Sequence, residues 1–370
     1  MTVDKRIRVL HTGLTDGRGG IESFLYNMFC NVDWHRFKFD FLCYGAQSAF
    51  DEELANMGAA LIELPDRRSL SAYAGTLRRV LSQGYDVFHM HKNSPIDFVF
   101  AMVAKKCSAK IIVHAHNTEA NVSDRHAVLM RLGRSVFKKD AGLMFACSTP
   151  AGEWVFGKEA GFEFFPNAIK LGCFAFDSSA RARLRDDLDI QQDAFVIGSV
   201  GRLVEQKNYP FLMHRFSLLH SEFPSARLVV AGDGELRETL QQHASEHGVS
   251  DSALFLGARS DVAQLDSASD WLYAFSLWEG FSFVTLEAQA GGALLCQPRR
   301  PGRGTSDRSC ATVRFGRTTL GWVDRGIGGI SASTVCGRRL RVRGPEGLRS
   351  LRRRREAHGY LQAAARQGRS

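Results

Sequence analysis

Two carboxylates eight positions apart, Glu279 and Glu287, bracket the run Gly280-Phe281-Ser282-Phe283-Val284-Thr285-Leu286. A Glu-Gly turn opens an apolar segment that closes on a second Glu. If that segment begins a helix, the backbone N–H groups of Phe281, Ser282 and Phe283 point out of its positive end, which is a ready anion site. The carboxylates then stand about two turns apart on nearly one face, able to hold hydroxyls on either side of a bound diphosphate. The spacing equally fits an ordinary amphipathic helix with two solvated glutamates, so the motif has to be weighed with its surroundings.

Other polar groups sit where short apolar runs end. His11-Thr12-Gly13-Leu14-Thr15-Asp16-Gly17-Arg18-Gly19-Gly20-Ile21-Glu22 is a glycine-rich turn entering a helix. It lacks the full GxGxxG spacing of a dinucleotide loop, but Gly19 and Gly20 let backbone come close to a phosphate or sugar. Asp86-Val87-Phe88-His89-Met90-His91 and Ile112-Val113-His114-Ala115-His116-Asn117 place paired histidines at two strand ends, as in a polar pocket. Such pairs also suit a metal, yet no carboxylate-rich partner set accompanies them and no metal is expected. Gly201-Arg202-Leu203-Val204-Glu205-Gln206-Lys207 puts a guanidinium fork and an ammonium point charge five residues apart at a strand exit, where both could converge on a diphosphate or simply solvate a helix start. Ala231-Gly232-Asp233-Gly234 is another tight strand-end turn. Gly257-Ala258-Arg259-Ser260-Asp261 could present backbone groups to a base.

Alternating elements must position these groups. Strand patterns at Ile7–Thr12, Phe37–Cys43, Ala60–Leu64, Asp86–His91, Lys110–His114 and Leu143–Cys147 are separated by helical patterns such as Ile21–Cys30, Leu70–Leu81 and Phe98–Cys107. After a polar stretch, Asp177–Asp193, the alternation restarts with strands at Phe195–Val200, Arg227–Ala231, Leu254–Leu256 and Trp271–Phe275 and helices at Asn208–Glu222 and Gly234–His247. This predicts an α/β protein with two Rossmann-like, doubly wound domains facing a cleft, ligands lying at the carboxyl ends of the strands.

Charge divides the chain differently. The net charge of +9 comes from the end: residues 293–370 hold 18 Arg, no Lys and 4 acidic side chains, against 30 basic and 35 acidic in the preceding 292. This argues against reading the high pI as a nucleic-acid footprint of the folded body, and no nucleic-acid partner is expected for it. Beyond Gly292 hydrophobic periodicity is lost in an Arg- and Gly-rich text without an evident strand. That text reads as a disordered tail, as an RNA- or membrane-binding arginine segment, or as the product of a frame change in a GC-rich gene. Eight cysteines without CxxC spacing read as reduced thiols of a cytosolic protein. The N-terminus lacks a signal-peptide core, and no run approaches the roughly 20 apolar residues of a membrane span.

Taken in order, these elements resemble the retaining glycosyltransferases of GT-B fold, family 4 (group 1). The resemblance is carried by the Gly19-Gly20 turn, the Asp86–His91 strand, His116, Pro166-Asn167-Ala168-Ile169, Gly201–Lys207, Gly232-Asp233-Gly234, Gly257–Val262 and the Glu279/Glu287 pair. The run Ala146–Gly157 is most similar to bacterial exopolysaccharide and capsule transferases. Ala168 stands where many members carry Gly, and every family element stops at Gly292.

The resemblance implies an N-terminal acceptor domain at 1–170, an incomplete nucleotide-sugar domain at 171–292 and a non-family tail at 293–370. It implies transfer of a sugar, with retention, from a nucleotide-sugar donor to a lipid-linked oligosaccharide acceptor in surface-polysaccharide synthesis. No cofactor or metal is required. Arg202 and Lys207 would neutralise the departing diphosphate. Glu279 would contact the donor sugar, Glu287 the ribose, and His116 the transferred sugar. Gly19, Gly20, Gly280, Phe281, Ser282 and Arg259 would complete the donor site. The glutamates are then not a glycosidase acid/nucleophile pair, which must flank one bond.

The segment Arg125–Lys139, with Arg125, Arg131, Arg134, Lys138 and Lys139 among Val128, Leu129 and Leu132, would suit peripheral docking on the cytoplasmic membrane leaflet of a cytoplasmic enzyme, or serve as an ordinary domain helix with a basic side. A nucleotide-sugar epimerase of the same architecture, or a nucleic-acid binder acting through the arginine tail, are the rival readings. An unfinished second domain further implies a chain with weak or no activity.

Overall fold

The computed structural model of the 370-residue chain describes residues 6–313, apart from 16, 18, 46–49, 67, 68, 97, 119–125, 275, 293 and 299–309. The chain forms two compact units, Met1–Ile169 with Trp278–Phe283, and Lys170–Leu277 with Val284–Ser370.

The sheet of the first unit is built from β1 (Ile7–Thr15), β2 (Phe37–Tyr44), β3 (Leu61–Glu63), β4 (Val87–Lys92), β5 (Lys110–Ala115), β6 (Leu143–Ala146) and β7 (Glu163–Phe164). Their spatial order is β3-β2-β1-β4-β5-β6-β7 and every pairing is parallel. Helices α1 (Gly20–Asn31), α2 (Asp51–Asn56), α3 (Leu70–Leu81), α4 (Val99–Ala104), α5 (Ala127–Asp140) and α6 (Thr149–Phe156) make the crossovers. Strand order reverses between β1 and β4, so polar residues at their carboxyl ends collect at a topological switch point.

Strand periodicity decides which side chains meet there. Phe88 and Met90 of β4 join Leu10 of β1 and Val113 of β5 in one apolar layer. The alternate positions belong to the opposite face, where Val9, Phe39 and Phe41 pack with Phe24, Leu25 and Phe29 of α1. His11, His89, His91 and His114 fall in the same alternation as this second layer, and so lie under α1 rather than in water.

The second unit contains α7 (Ser178–Asp187), β8 (Val196–Val200), α8 (Tyr209–Glu222), β9 (Arg227–Ala231), α9 (Arg237–Glu246), β10 (Ala253–Gly257), α10 (Val262–Ala268), β11 (Trp271–Tyr273), α11 (Phe283–Gly291), β12 (Leu294–Pro298) and β13 (Cys310–Val313). The order is β10-β9-β8-β11-β12-β13, parallel except for the antiparallel β12/β13 pair.

Most predicted elements fall within a residue or two of the observed ones, and α3 and β9 coincide with the expectation. Two regions differ. The polar stretch after Asp177 forms α7, begun by the Asp177 carboxylate accepting from the amides of Ser179 (2.8 Å) and Ala180 (3.1 Å). Beyond Gly292, where no strand was expected, the sheet continues through β12 and β13. Leu294, Leu295 and Cys296 pair in register with Trp271, Leu272 and Tyr273, a ladder too short to stand out as a hydrophobic run. The arginine-rich text at 314–370 lies outside the described residues.

Candidate functional site

In the first unit the candidate site grows from three adjacent strands. Register sets His11 opposite His89 and His91 opposite His114. His116 directly follows β5, its amide donating to the Lys92 carbonyl at 2.9 Å. Five imidazoles therefore share one sheet face beneath Phe24 of α1, whose ring centroid is 5.5 Å from that of His91 and 4.9 Å from those of His114 and His116.

Burial keeps these rings neutral. Loss of water pushes His11 and His114 from an ordinary 6.5 down to about 3. Burial, and then mutual repulsion among the rings, holds His89, His91 and His116 well below 6.5. His11 Nδ1 lies 3.1 Å from His91 Nε2, and His91 Nδ1 lies 2.8 Å from His116 Nε2. Two triplets, His11/His89/His91 and His91/His114/His116, bring possible ligand atoms within 4.8 Å of one another, but neither includes a carboxylate.

Glu279, Gly280, Phe281 and Ser282 fall in the Trp278–Phe283 segment that groups with this unit. Gly280 lies so close to β5 that a Cβ there would stand 1.9 Å from the His116 carbonyl oxygen, so no other residue fits without moving backbone. Thr118 Oγ1 donates to the Glu279 carbonyl at 3.1 Å, and Asn167 Nδ2 donates to the Phe281 carbonyl at 2.7 Å.

This arrangement corrects the expected helix. The helix α11 starts at Phe283, so Glu279 lies in the loop before it and Glu287 alone is helical. The two carboxylates do not share a helical face, and the Phe281 and Ser282 amides precede the helix. The reason is that the carbonyls of Glu279 and Phe281, which a helix would turn toward amides four residues on, are taken by Thr118 and Asn167.

At the start of α1, Gly19 is the N-cap residue and Gly20 opens the helix. The turn carries its own anion: Glu22 is buried and accepts from the Thr15 hydroxyl, and a Cβ on Gly19 would meet its Oε2 at 2.5 Å. Neither Glu22 nor His11 was singled out from sequence. The signal for His11 is its register with β4, which no spacing within one strand reveals.

In the second unit the loops after β8, β9 and β10 gather at one sheet edge. The Gly232 amide donates to the Gly257 carbonyl at 2.7 Å, and a Cβ on Gly232 (φ 150°) would lie 1.9 Å from the Gly201 carbonyl oxygen. Arg202 is exposed, whereas Lys207 is half-buried in a single 3-10 turn, its stem folded back beside Gly201. The Tyr209 hydroxyl donates to the Gly201 carbonyl and the Tyr273 hydroxyl to the Asn208 carbonyl, each at 3.1 Å, so the loop is held at both ends. Arg259 is committed to Asp261 through two hydrogen bonds of 2.7 and 2.5 Å. Burial raises the half-buried Glu287 to about 7. Burial, then the Glu287 carboxylate, holds Asp266 of α10 well above the ordinary carboxyl range.

Residues 180–295 match the family described as "Glycosyl transferases group 1". The chain carries a group 1 glycosyltransferase domain. Arg202, Lys207, Arg259, Glu279 and Glu287 all lie within it.

The chain is 29% identical over 299 residues, 77% of each protein, to EpsF of Bacillus subtilis (strain 168), a glycosyltransferase by name. It is 26% identical over 239 residues to UDP-Gal:alpha-D-GlcNAc-diphosphoundecaprenol alpha-1,3-galactosyltransferase of Escherichia coli, 62% of this chain and 61% of that one. Among solved structures, Anabaena HepE in complex with UDP and glucose is similar at a TM-score of 0.66 and 19% identity, over 78% of this chain and 80% of that one. The fold is of the GT-B type expected from the sequence. Among the described residues, no helix is long and apolar enough to cross a membrane.

Proposed function

We propose that this chain moves a sugar, with retention of configuration, from a nucleotide-sugar to a lipid-linked oligosaccharide in bacterial surface-polysaccharide synthesis. The observation that carries the reading is the seating of Gly280 on the His116 carbonyl, which ties Glu279 to the strand end that bears His116. Glu279 and His116 then serve the transferred sugar, and Arg202 and Lys207 offset charge on the departing diphosphate. Gly280, Phe281 and Ser282 shape the donor loop, and Glu287 takes the ribose. Arg259 acts through its loop, since its guanidinium is paired with Asp261. Beside Gly19 and Gly20 the Glu22 carboxylate favours a hydroxyl-bearing sugar over a phosphate.

No cofactor or metal enters this reading, in keeping with the group 1 resemblance and with histidine triplets that include no carboxylate. Domain limits of 1–170 and 171–292 accompany it. A frame change before residues 293–370 is consistent with a family match that stops at 295. Translation of the other two frames after codon 292 should then recover strand–helix alternation, and the chain as it stands should turn over slowly.

A cytoplasmic enzyme at the membrane surface fits α5, where Val128 is 73%, Leu132 49% and Leu129 41% exposed beside the exposed Arg131, Lys138 and Lys139. Arg134 is instead spent on the Trp154 carbonyl at 2.8 Å, and Arg125 lies outside the described residues.

Incubating the chain with labelled UDP-sugars and undecaprenyl-diphosphate-linked sugar acceptors tests the reading. Label is expected in the lipid product, and its appearance should be lost in Glu279→Ala. Epimerised free donor without lipid product would replace transfer with epimerisation.

A further inference from the structure

We propose that His11 and His91 form a hydrogen-bonded relay that fixes His116 with its proton on Nδ1, so that His116 is a hydrogen-bond donor and not a base. The three rings are joined end to end, His11 Nδ1 to His91 Nε2 at 3.1 Å and His91 Nδ1 to His116 Nε2 at 2.8 Å. A neutral imidazole has one N–H and one lone pair, so a chain of such rings runs in one direction only.

The free end decides the direction. His11 Nε2 is buried without a hydrogen-bond partner among the described residues. If the chain ran from His116 toward His11, that atom would carry an orphaned N–H, which folded proteins tolerate less well than an unused lone pair. Run the other way, His11 Nδ1–H donates to His91, His91 Nδ1–H donates to His116 Nε2, and only a lone pair is left over. His114 shows the same choice nearby. Its Nε2 faces the Phe165 carbonyl at 3.2 Å and must be the N–H, while its Nδ1 is the atom left unpartnered among the described residues.

His91 is held for this task, its backbone amide donating to Thr12 Oγ1 at 3.0 Å. The desolvation that keeps all three rings uncharged means none supplies a second proton to reverse the order. With its Nε2 lone pair engaged, His116 can hold a sugar oxygen by donating to it but has no free site to accept a proton. His11 and His91 are thus positioning residues. That catalytic consequence rests on the proposed function, whereas the tautomer does not.

The test is the long-range proton–nitrogen spectrum of the full-length chain labelled with nitrogen-15 in its histidine rings, near pH 7.5 and without substrate, His116 being assigned through His116→Gln. A proton on Nδ1 of His116 is expected, the form a free neutral imidazole does not prefer. In His91→Phe it should move to Nε2. In His91→Asn, whose side-chain amide can still donate, Nδ1–H should be restored. His114 keeps its proton on Nε2 throughout and reports that the sheet is folded. Nδ1–H on wild-type His116 supports the relay even if His91→Phe does not fold.

Three results would overturn the relay: Nε2–H on wild-type His116, no change in a folded His91→Phe, or stoichiometric zinc in the purified chain, because coordination would consume the lone pairs. A chain with the expected tautomer that transfers no sugar would sink the function and leave the relay standing.

Discussion

The five imidazoles of the first unit and Arg185 of the second are accommodated on burial in opposite ways. In the first, five imidazoles are stripped of water and held neutral, with ring nitrogens of His11, His89 and His114 left unpartnered among the described residues. In the second, Arg185 is fully buried yet ionised. Its guanidinium donates to the carbonyls of Ala194 (2.9 Å), Gln192 (3.0 Å) and Ala268 (2.8 Å) and to the Asp270 carboxylate (3.0 Å). Asp270 is filled in turn by Arg181 at 3.0 Å and the Val196 amide at 2.9 Å. A fixed charge survives burial when every donor is matched. A titratable one sheds its proton instead, and that leaves chemistry available at His116.

The difference is broken or sharpened most strongly by acid. Burial puts His11 and His114 at about 3, and holds His89, His91 and His116 well below the unfolded 6.5, so the unfolded chain binds more protons as pH falls through 6.5. Stability of that unit is full above pH 6.5 and falls as pH drops, by up to about 1.4 kcal/mol per pH unit for each buried ring. The second unit runs the other way at Glu287 and Asp266. With Glu287 raised to about 7, its contribution is present below the ordinary 4.5 and lost as pH rises through 7. Urea unfolding from pH 8 to pH 4.5, read by proteolytic fragments from each unit, should show the first unit weakening steeply while the second does not. Parallel curves would remove the contrast.

Next in size is the ion pair. Arg185→Met leaves Asp270 buried beside a single remaining guanidinium and should cost about 3–5 kcal/mol. Hydrogen exchange should rise across β8, α10 and β11, with β1, β4 and β5 unchanged. An equal rise in both units would mean that they do not hold their charges independently.

These same groups mark where sequence reading ran out. Strand and helix alternation is written in local apolar patterns, so α3 and β9 could be placed from the text alone. The α7 helix could not, because its inward face carries Arg185, which pattern reading assigns to solvent. The histidine pairs are visible as His-x-His at strand ends, but the relay needs His11, which only the β1–β4 register brings in. The expected helix over Glu279–Glu287 failed for a related reason. Local propensity allowed it, and distant partners, Thr118 and Asn167, claimed the carbonyls it required.

The smallest expected effect separates burial from hydrogen bonding within the first unit. His89 lies tilted against His91 with centroids 4.2 Å apart, but its Nε2 has no partner among the described residues and it takes no part in the ring-to-ring bonds. His89→Phe exchanges one planar ring for another and should change stability at pH 8 by no more than about 1 kcal/mol. Its acid limb should be shallower, since one proton-binding difference is gone. His91→Phe removes two hydrogen bonds and leaves polar atoms on His11 and His116 unsatisfied, which should cost about 1–3 kcal/mol at the same pH. The decisive quantity is the gap between the two variants in urea at pH 8. If His89→Phe costs as much as His91→Phe, burial alone orders the cluster and the direction of the relay has no energetic support. If the gap is present and narrows in His91→Asn, which can restore the donor to His116, the hydrogen bonds set the order of the rings.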